Sequence, residues 1–166
     1  HLIEPEAVTA YAAFLRERIS QPVTFCENYL PWLDKLTGLA EELDVIAIHT
    51  YPVWEYKTVA EAMAYTRENF DAVQSAYPNK QVIITEAGWA TASNGRGIPP
   101  ENVGELFQET YLRELLDWAE EEEILVYIFE AFDENWKGSD HPLEPEKHWG
   151  IYRADRSGKP ALSLQL

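Results

Sequence analysis

Several apolar runs in this sequence end on side chains that could do chemistry. The run QVIIT is followed by Glu86, with Gly88 and Trp89 directly behind it, and the run ILVYIF is followed by Glu130. A carboxylate can act as a nucleophile or as a general acid or base. A single carboxylate at the end of a strand can equally cap the next helix or join a structural ion pair. Both interpretations remain open for each of these groups taken alone.

Aromatic side chains accompany the carboxylates. They are Trp54, Tyr56, Trp89, Trp136 and Trp149, all in or next to the segments that follow the apolar runs. Sugar rings have apolar faces and hydroxyl edges, so a saccharide site needs aromatic rings for stacking beside acidic groups that accept hydrogen bonds. The combination indicates a saccharide site. The alternative is that the rings only pack loops onto the core, and we expect this for two or more of them.

The elements that must position these residues follow from hydrophobic periodicity. Helices are predicted from Pro5 to Ile19, from Leu30 to Leu43, from Val59 to Tyr77 and from Val103 to Ala119. Strands are predicted in PVTFC from Pro22, in DVIAIHTY, in QVIITE and in ILVYIFEAFDE. Helix and strand therefore alternate along the chain.

This alternation, with no tight hairpin signal, predicts an α/β fold with parallel strands. A doubly wound sheet and part of a (β/α)8 TIM barrel would both cover the strands on two faces. The barrel is favoured because the unusual residues gather at the carboxyl ends of the strands, where barrels build their active sites. Four strands are about half of a barrel, so residues 1–166 are interpreted as one partial barrel domain.

Three motifs in register give the sequence a family resemblance. ITEAGW, FDENWK and WGIY resemble the E-[ST]-G-W, F-[DN]-E-N-x-K and W-G-[LI]-[FY] motifs of glycoside hydrolase family 17, the β-1,3-glucanases and glucanosyltransferases. The resemblance covers nearly the whole chain from Pro5 onward. It departs from the family at Ala87, where Ser or Thr is usual, and at Ala90, where Pro is common.

The resemblance implies a retaining mechanism and assigns roles. Glu86 would be the nucleophile at the end of the seventh barrel strand, and Tyr51 would lie near it. Glu134 and Lys137 would bind substrate and set the charge around the nucleophile, although a simple salt bridge at the rim would also explain that pair. The remaining residues expected to contact β-glucan are Trp89, Glu130, Asp133 and Trp136.

One expected group is absent from the motifs. Retaining glycosidases use two carboxyl groups, one to attack and one to protonate the leaving oxygen. In the family, the acid/base lies in an N-E dipeptide immediately before the segment that corresponds to His1, and no such dipeptide precedes the first helix here. The resemblance therefore implies the second half of a barrel, with the nucleophile but without the acid/base.

Composition limits the partners. The formal net charge of −16 opposes binding to nucleic acid or to an anionic membrane surface. No apolar run is long enough to span a bilayer, and no Cys/His spacing indicates a metal site. We expect no metal or organic cofactor, and we expect the single cysteine, Cys26, to be a small buried residue.

Three functions stay open. The first is a β-1,3-glucan hydrolase or transglycosylase, for which this chain supplies the nucleophile. The second is a glucan-binding module without turnover. The third is an inactive half barrel that self-associates, because a half barrel has two open sheet edges and uncovered apolar surface. A homodimer, or pairing with a missing N-terminal half, would close such a barrel.

Overall fold

The computed structural model describes residues 4–164. Five helices are present in this range: α1 Pro5–Arg16, α2 Tyr29–Trp32, α3 Thr37–Glu42, α4 Val59–Ala76 and α5 Glu105–Glu121. Four strands alternate with them: β1 Thr24–Asn28, β2 Val45–Thr50, β3 Gln81–Ala87 and β4 Val126–Ile128. Short 3-10 turns at Pro52–Glu55, Pro100–Asn102, Pro145–Lys147 and Pro160–Ser163 shape the connections.

The four strands form one sheet in the order β1-β2-β3-β4, and every neighbouring pair is parallel. Parallel neighbours require a crossover connection, and the helices supply it. The predicted α/β alternation and parallel strands are confirmed. All four carboxyl ends consequently lie along one edge of the sheet.

Two elements differ from the prediction. The helix expected from Leu30 to Leu43 is two short helices, because the chain turns after Trp32 and the Leu36 amide donates to the Pro31 carbonyl. The fourth strand pairs only from Val126 to Ile128. Beyond Ile128 the chain leaves the sheet and pairs with a later segment through the bridge between Phe132 and Tyr152.

The core lies between one face of the sheet and the helices that cover it, of which α4 and α5 are the longest. Ile46 and Ile48 of β2 and Val82 and Ile84 of β3 alternate with residues of the other face, as strand geometry requires. They are packed within one cluster with side chains from the two helices, including Phe70, Val73, Leu112, Leu115 and Trp118.

The opposite face of the sheet is less covered. Cys26 of β1 is exposed, and Tyr127 of β4 is about half exposed. The expectation that Cys26 is buried is wrong, because β1 is an edge strand and Cys26 points away from the helices. Tyr11 and Phe14 also leave an apolar surface on α1. No helix among residues 4–164 is long and apolar enough to cross a membrane.

Candidate active site

The ends of β2 and β3 bring His49, Tyr51 and Glu86 together. Ile48 pairs with Ile84, but the next residue, His49, pairs with Glu86, so β3 contains one extra residue at this point. Such an irregularity re-aims the side chains that follow it. Glu86 is therefore placed directly beside His49 at the carboxyl edge of the sheet.

Glu86 has two neighbours that fix its carboxylate. The Tyr51 hydroxyl donates a hydrogen bond of 2.6 Å to Glu86 Oε2. His49 Nδ1 lies 3.3 Å from the same oxygen. The Glu86 side chain is 34% exposed, so it is oriented by its partners and still accessible from solvent. This is the arrangement that a nucleophilic carboxylate requires.

Tyr51 is held as a hydrogen-bond donor. Burial raises the pKa of the Tyr51 phenol well above its ordinary range, and the hydrogen bond to Glu86 and the nearby carboxylates raise it further. Its ring packs edge-on against Phe129 and Trp149, with centroids 5.8 and 5.2 Å away. Both the orientation and the proton of Tyr51 are thus fixed.

Lys137 sits in a clamp of two carboxylates. Its Nζ lies 2.6 Å from Glu130 Oε2 and 2.5 Å from Glu134 Oε2, and 4.7 Å from the centre of the Phe129 ring. Burial lowers the pKa of Lys137, but the hydrogen bonds to Glu130 and Glu134 outweigh it, so the pKa is raised. Burial raises the pKa of Glu130, although Lys137 opposes the shift. Lys137 therefore remains a cation.

The ion pairs of Lys137 match the alternative of a salt bridge at the rim. Its ion pairs are with Glu130 and Glu134, and none joins it to Glu86 in the part of the chain that the structure describes. Oε1 of Glu130 is buried without a hydrogen-bond partner among the same residues. Lys137, Glu130 and Glu134 thus form a salt bridge at the rim, and Glu130 Oε1 is an acceptor without a partner in it.

Two residues expected to contact substrate, Trp89 and Asp133, have buried or nearly buried side chains in this structure. Trp89 is fully buried, and its Nε1 donates to the Asn102 carbonyl at 2.9 Å. Asp133 Oδ1 pairs with Lys159 Nζ at 2.7 Å, with side-chain exposures of only 9% and 1%. In this structure Trp89 packs the interior and Asp133 fastens a loop, and neither side chain presents a free face to a sugar.

The other aromatic residues divide in the same way. Trp149 is also buried, so packing is confirmed for two of the five rings. Trp136 is 77% exposed and Tyr56 is largely exposed, whereas Trp54 is half-buried with its ring centroid 6.0 Å from that of Trp149. Trp136 is therefore the ring of the predicted site that is most open to a ligand.

Glu146 is a carboxyl near the site that the sequence analysis did not single out. Burial raises its pKa, Lys137 opposes this, and the charge of Glu86 adds to it, so Glu146 lies within electrostatic reach of both. It follows Pro145 in a 3-10 turn rather than ending a strand. A search for carboxylates directly after apolar runs cannot find Glu146. Its position directly before the KHWG segment, which leads into the WGIY motif, could have indicated it.

Gln108 of α5 fixes the loops around the site. Its buried Nε2 donates to the carbonyls of Trp89, Trp149 and Gly150 at 2.9, 3.0 and 3.2 Å. Gly88 contributes by its lack of a side chain, because a Cβ there would overlap the Phe129 carbonyl oxygen. No group of three or more His, Cys, Asp or Glu side chains in residues 4–164 could hold a metal ion.

The parallel sheet carries the accessible Glu86 carboxylate at its carboxyl edge, with Tyr51 and His49 beside it. The family model described as the BtgE/BtgC glycoside hydrolase domain matches residues 5–150. The chain belongs to this family of glycoside hydrolase domains.

Two known proteins that resemble this chain carry names of the same enzyme class. A glucan 1,3-beta-glucosidase of Candida albicans is 30% identical over 136 residues, covering 74% of this chain and 42% of that protein. A glycoside hydrolase family 17 beta-1,3-glucanosyltransferase from Rhizomucor miehei superimposes with a TM-score of 0.81 at 25% identity, covering 96% of this chain and 57% of that one. The family 17 resemblance is confirmed.

A second solved structure has the same fold as this chain. An endo-laminarinase from Formosa superimposes with a TM-score of 0.86 at 22% identity, over 98% of this chain and 53% of that one. The chain spans about half the length of the proteins it matches. The partial barrel, rather than a doubly wound sheet, is thus the architecture.

Proposed function

We propose that this chain supplies the nucleophile side of a retaining glycoside hydrolase or transglycosylase that acts on β-1,3-glucan. The observation that carries the proposal is the Glu86 carboxylate, accessible to solvent and fixed by the Tyr51 hydroxyl at 2.6 Å. The names of the matched proteins, a glucan 1,3-beta-glucosidase and a beta-1,3-glucanosyltransferase, favour this substrate class.

The reaction proceeds in two displacements. A Glu86 oxygen attacks the anomeric carbon, the bond to the leaving oxygen breaks, and that oxygen takes a proton from a second carboxyl group. A glycosyl ester of Glu86 results. Water or a sugar hydroxyl then attacks the ester, loses a proton to the second carboxyl and releases Glu86. Hydrolysis and transfer differ only in which of the two attacks.

The chain's other polar groups have defined tasks in this scheme. Tyr51 orients Glu86 and stays protonated. The clamped Lys137 offers a cation, and the clamping carboxylates Glu130 and Glu134 accept hydrogen bonds from sugar hydroxyls. Glu146 is a further carboxyl within electrostatic reach of Glu86 and Lys137. None of these is assigned the acid role.

A complementary half barrel completes the site in this proposal. The sheet has open edges at β1 and β4, and Cys26 and Tyr127 leave part of its inner face uncovered. Four further parallel strands, from another part of the same protein or from a second copy, would continue the sheet and bring a second carboxyl to face Glu86. The charge of −16 disfavours two copies of this chain.

The test is incubation with purified β-1,3-gluco-oligosaccharides, followed by chromatography of the products. Shorter products indicate hydrolysis, and products longer than the starting oligosaccharide indicate transfer. Glu86→Gln, which keeps the shape and removes the nucleophile, is the control and must abolish both. Binding without any product would favour the glucan-binding module. Neither binding nor products, with or without a complementary half, would refute the proposal.

A further inference from the structure

Glu144 is a buried acidic residue in the segment that follows β4. Only 3% of its surface is exposed. It directly precedes the 3-10 turn Pro145–Lys147, which carries Glu146. A buried carboxylate is costly unless hydrogen bonds or opposite charges compensate it. The groups that compensate Glu144 therefore show which parts of the chain it joins.

Two segments supply partners to the Glu144 carboxylate. Ser139 Oγ donates a hydrogen bond of 2.5 Å to Glu144 Oε2. Arg96, in the loop that follows β3, has Nη1 3.6 Å from the same oxygen. The hydrogen bond from Ser139 lowers the pKa of Glu144, and the charge of Arg96 adds to this effect. Glu144 is thus ionised at neutral pH and joins the loops after β3 and β4, the strands that carry Glu86 and lead to Glu130.

Packing joins Glu144 to the segment that carries Lys137. Gly138 follows Lys137 directly and has a φ of +66°, in the left-handed region that favours glycine. A Cβ at Gly138 would overlap the Glu144 side chain and would lie 3.2 Å from the Cβ of Glu146. The absence of a side chain at Gly138 therefore lets Glu144 and Glu146 pack against the backbone next to Lys137.

Backbone hydrogen bonds fix the turn that begins after Glu144. The Lys147 amide donates to the Glu144 carbonyl at 3.0 Å and closes the turn around Glu146. The Glu134 amide donates to the Lys147 carbonyl at 3.2 Å, and Lys147 Nζ donates to the Asn135 carbonyl at 2.7 Å. The turn is therefore fixed by Glu144 at its start and by the segment before Lys137 at its end.

The position of Glu146 matters because its charge interacts with the charges of the site. Burial raises the pKa of Glu146, Lys137 opposes this shift, and the charges of Glu144 and Glu86 add to it. A displaced turn would move the Glu146 carboxyl relative to the Lys137 cation. The electrostatic environment of Glu86 would change with it, and a nucleophilic carboxylate depends on that environment.

We propose that Glu144 is a positioning residue for the reaction: it holds the turn with Glu146 against the segment that carries Lys137 and thereby sets the charge beside Glu86. Glu144 acts through Glu146 and Lys137 rather than on the substrate. The effect on rate rests on the proposed function, whereas the position of Glu146 can be measured without any reaction.

Four substitutions separate the position of Glu144 from its charge. Glu144→Ala removes the acceptor of the Ser139 hydroxyl and the packing on Gly138, whereas Glu144→Gln keeps the shape and one acceptor oxygen. Ser139→Ala removes only the donor, so it tests the same contact if Glu144→Ala fails to fold. Asp44→Ala is the matched control. Asp44 also accepts a hydrogen bond, from the Val23 amide at 2.7 Å, but it precedes β2 at the opposite edge of the sheet.

The first readout is the pKa of Glu146, measured by NMR titration of its carboxyl carbon. We expect a value above the ordinary 4.5 in the unaltered chain, because the group is buried. Glu144→Ala should bring the value back toward 4.5, since the released turn exposes the carboxyl, and Ser139→Ala should cause a smaller fall. Glu144→Gln should keep most of the upward shift, and Asp44→Ala all of it. An unchanged pKa in Glu144→Ala and Ser139→Ala would overturn the proposal, and so would an equal fall in Glu144→Gln, which would assign the effect to charge alone.

The second readout is the limiting rate at which an activated 2-deoxy-2-fluoro β-glucoside labels Glu86. Glu144→Ala should lower this rate by about tenfold, because a misplacement on the order of 1 Å can cost about a hundredfold. Glu144→Gln and Asp44→Ala should label as the unaltered chain does. An unchanged rate in Glu144→Ala would overturn the link between Glu144 and the reaction. If the pKa of Glu146 falls as expected but the unaltered chain is not labelled, with or without a complementary half, the position assigned to Glu144 is supported and the proposed function fails.

Discussion

Tyr51→Phe should slow the chemistry at Glu86 without unfolding the protein. The substitution keeps the ring between Phe129 and Trp149 and removes only the hydroxyl that donates to Glu86 Oε2 at 2.6 Å. His49 remains at 3.3 Å as the other neighbour of that oxygen. Glu86 then loses one of the two groups that fix its orientation.

The size of the effect follows from the strength of this hydrogen bond. A hydrogen bond to a charged group contributes about 1.5–3 kcal/mol. If this energy serves to hold Glu86 in the orientation for attack, so that it is realised only in the transition state, its loss lowers the rate by about 10- to 150-fold. Because burial and the bond to Glu86 raise the pKa of Tyr51 above its ordinary 10.0, donation should persist throughout the neutral and mildly alkaline range.

The assay is the rate at which an activated 2-deoxy-2-fluoro β-glucoside labels the chain, followed by intact mass. Tyr77→Phe is the matched control, since the Tyr77 hydroxyl donates to the Trp32 carbonyl away from the site. It should leave the rate unchanged. Equal rates for Tyr51→Phe and the unaltered chain, or an equal loss in the control, would refute the positioning role of Tyr51.

Three further substitutions test the supports of the site. Gly88→Ala should destabilise the fold by about 1–3 kcal/mol in urea unfolding, because its Cβ overlaps a backbone carbonyl. Gly38 has open space around it, so Gly38→Ala should be neutral or stabilising. An equal loss of stability in both variants would contradict this expectation. Asp133→Asn should cost about 3–5 kcal/mol in the same assay by leaving the Lys159 charge buried and unpaired, and a loss below 1 kcal/mol would contradict the structural role. Glu146→Gln should be more stable than the unaltered chain at pH 7. Burial raises the pKa of Glu146 above its ordinary 4.5, so this group costs no stability below pH 4.5 and costs stability as pH rises through its raised pKa. The difference in stability between Glu146→Gln and the unaltered chain should therefore close in acid, and a difference that persists there would contradict the burial.

The fold was largely predictable because its strands are apolar on both faces. The runs in β2 and β3 are nearly continuous, and hydrophobic periodicity located α4 and α5 within two residues. The early end of β4 was not predictable, because the run of apolar residues continues past Ile128. There the bridge between Phe132 and Tyr152 replaces pairing in the sheet. Such a long-range contact leaves no local pattern in the sequence.

The site was predictable only in part, for a related reason. Residue type and position at the end of a strand pointed to Glu86, and the family resemblance added Tyr51, which the structure brings beside it. The same criteria could not distinguish the exposed ring of Trp136 from the buried ring of Trp89, since both follow strand ends. They also missed Glu146, which reaches the site from a turn. Exposure depends on packing between distant segments.

The most direct test of a nucleophilic Glu86 is peptide mapping after exposure to the activated 2-deoxy-2-fluoro β-glucoside. A good leaving group needs no protonation, so the second carboxyl is not required for labelling. We expect one sugar adduct per chain, on the peptide that contains Glu86, and none in Glu86→Gln. An adduct on another carboxylate, or equal labelling of Glu86→Gln, would contradict the assignment of Glu86 as the nucleophile.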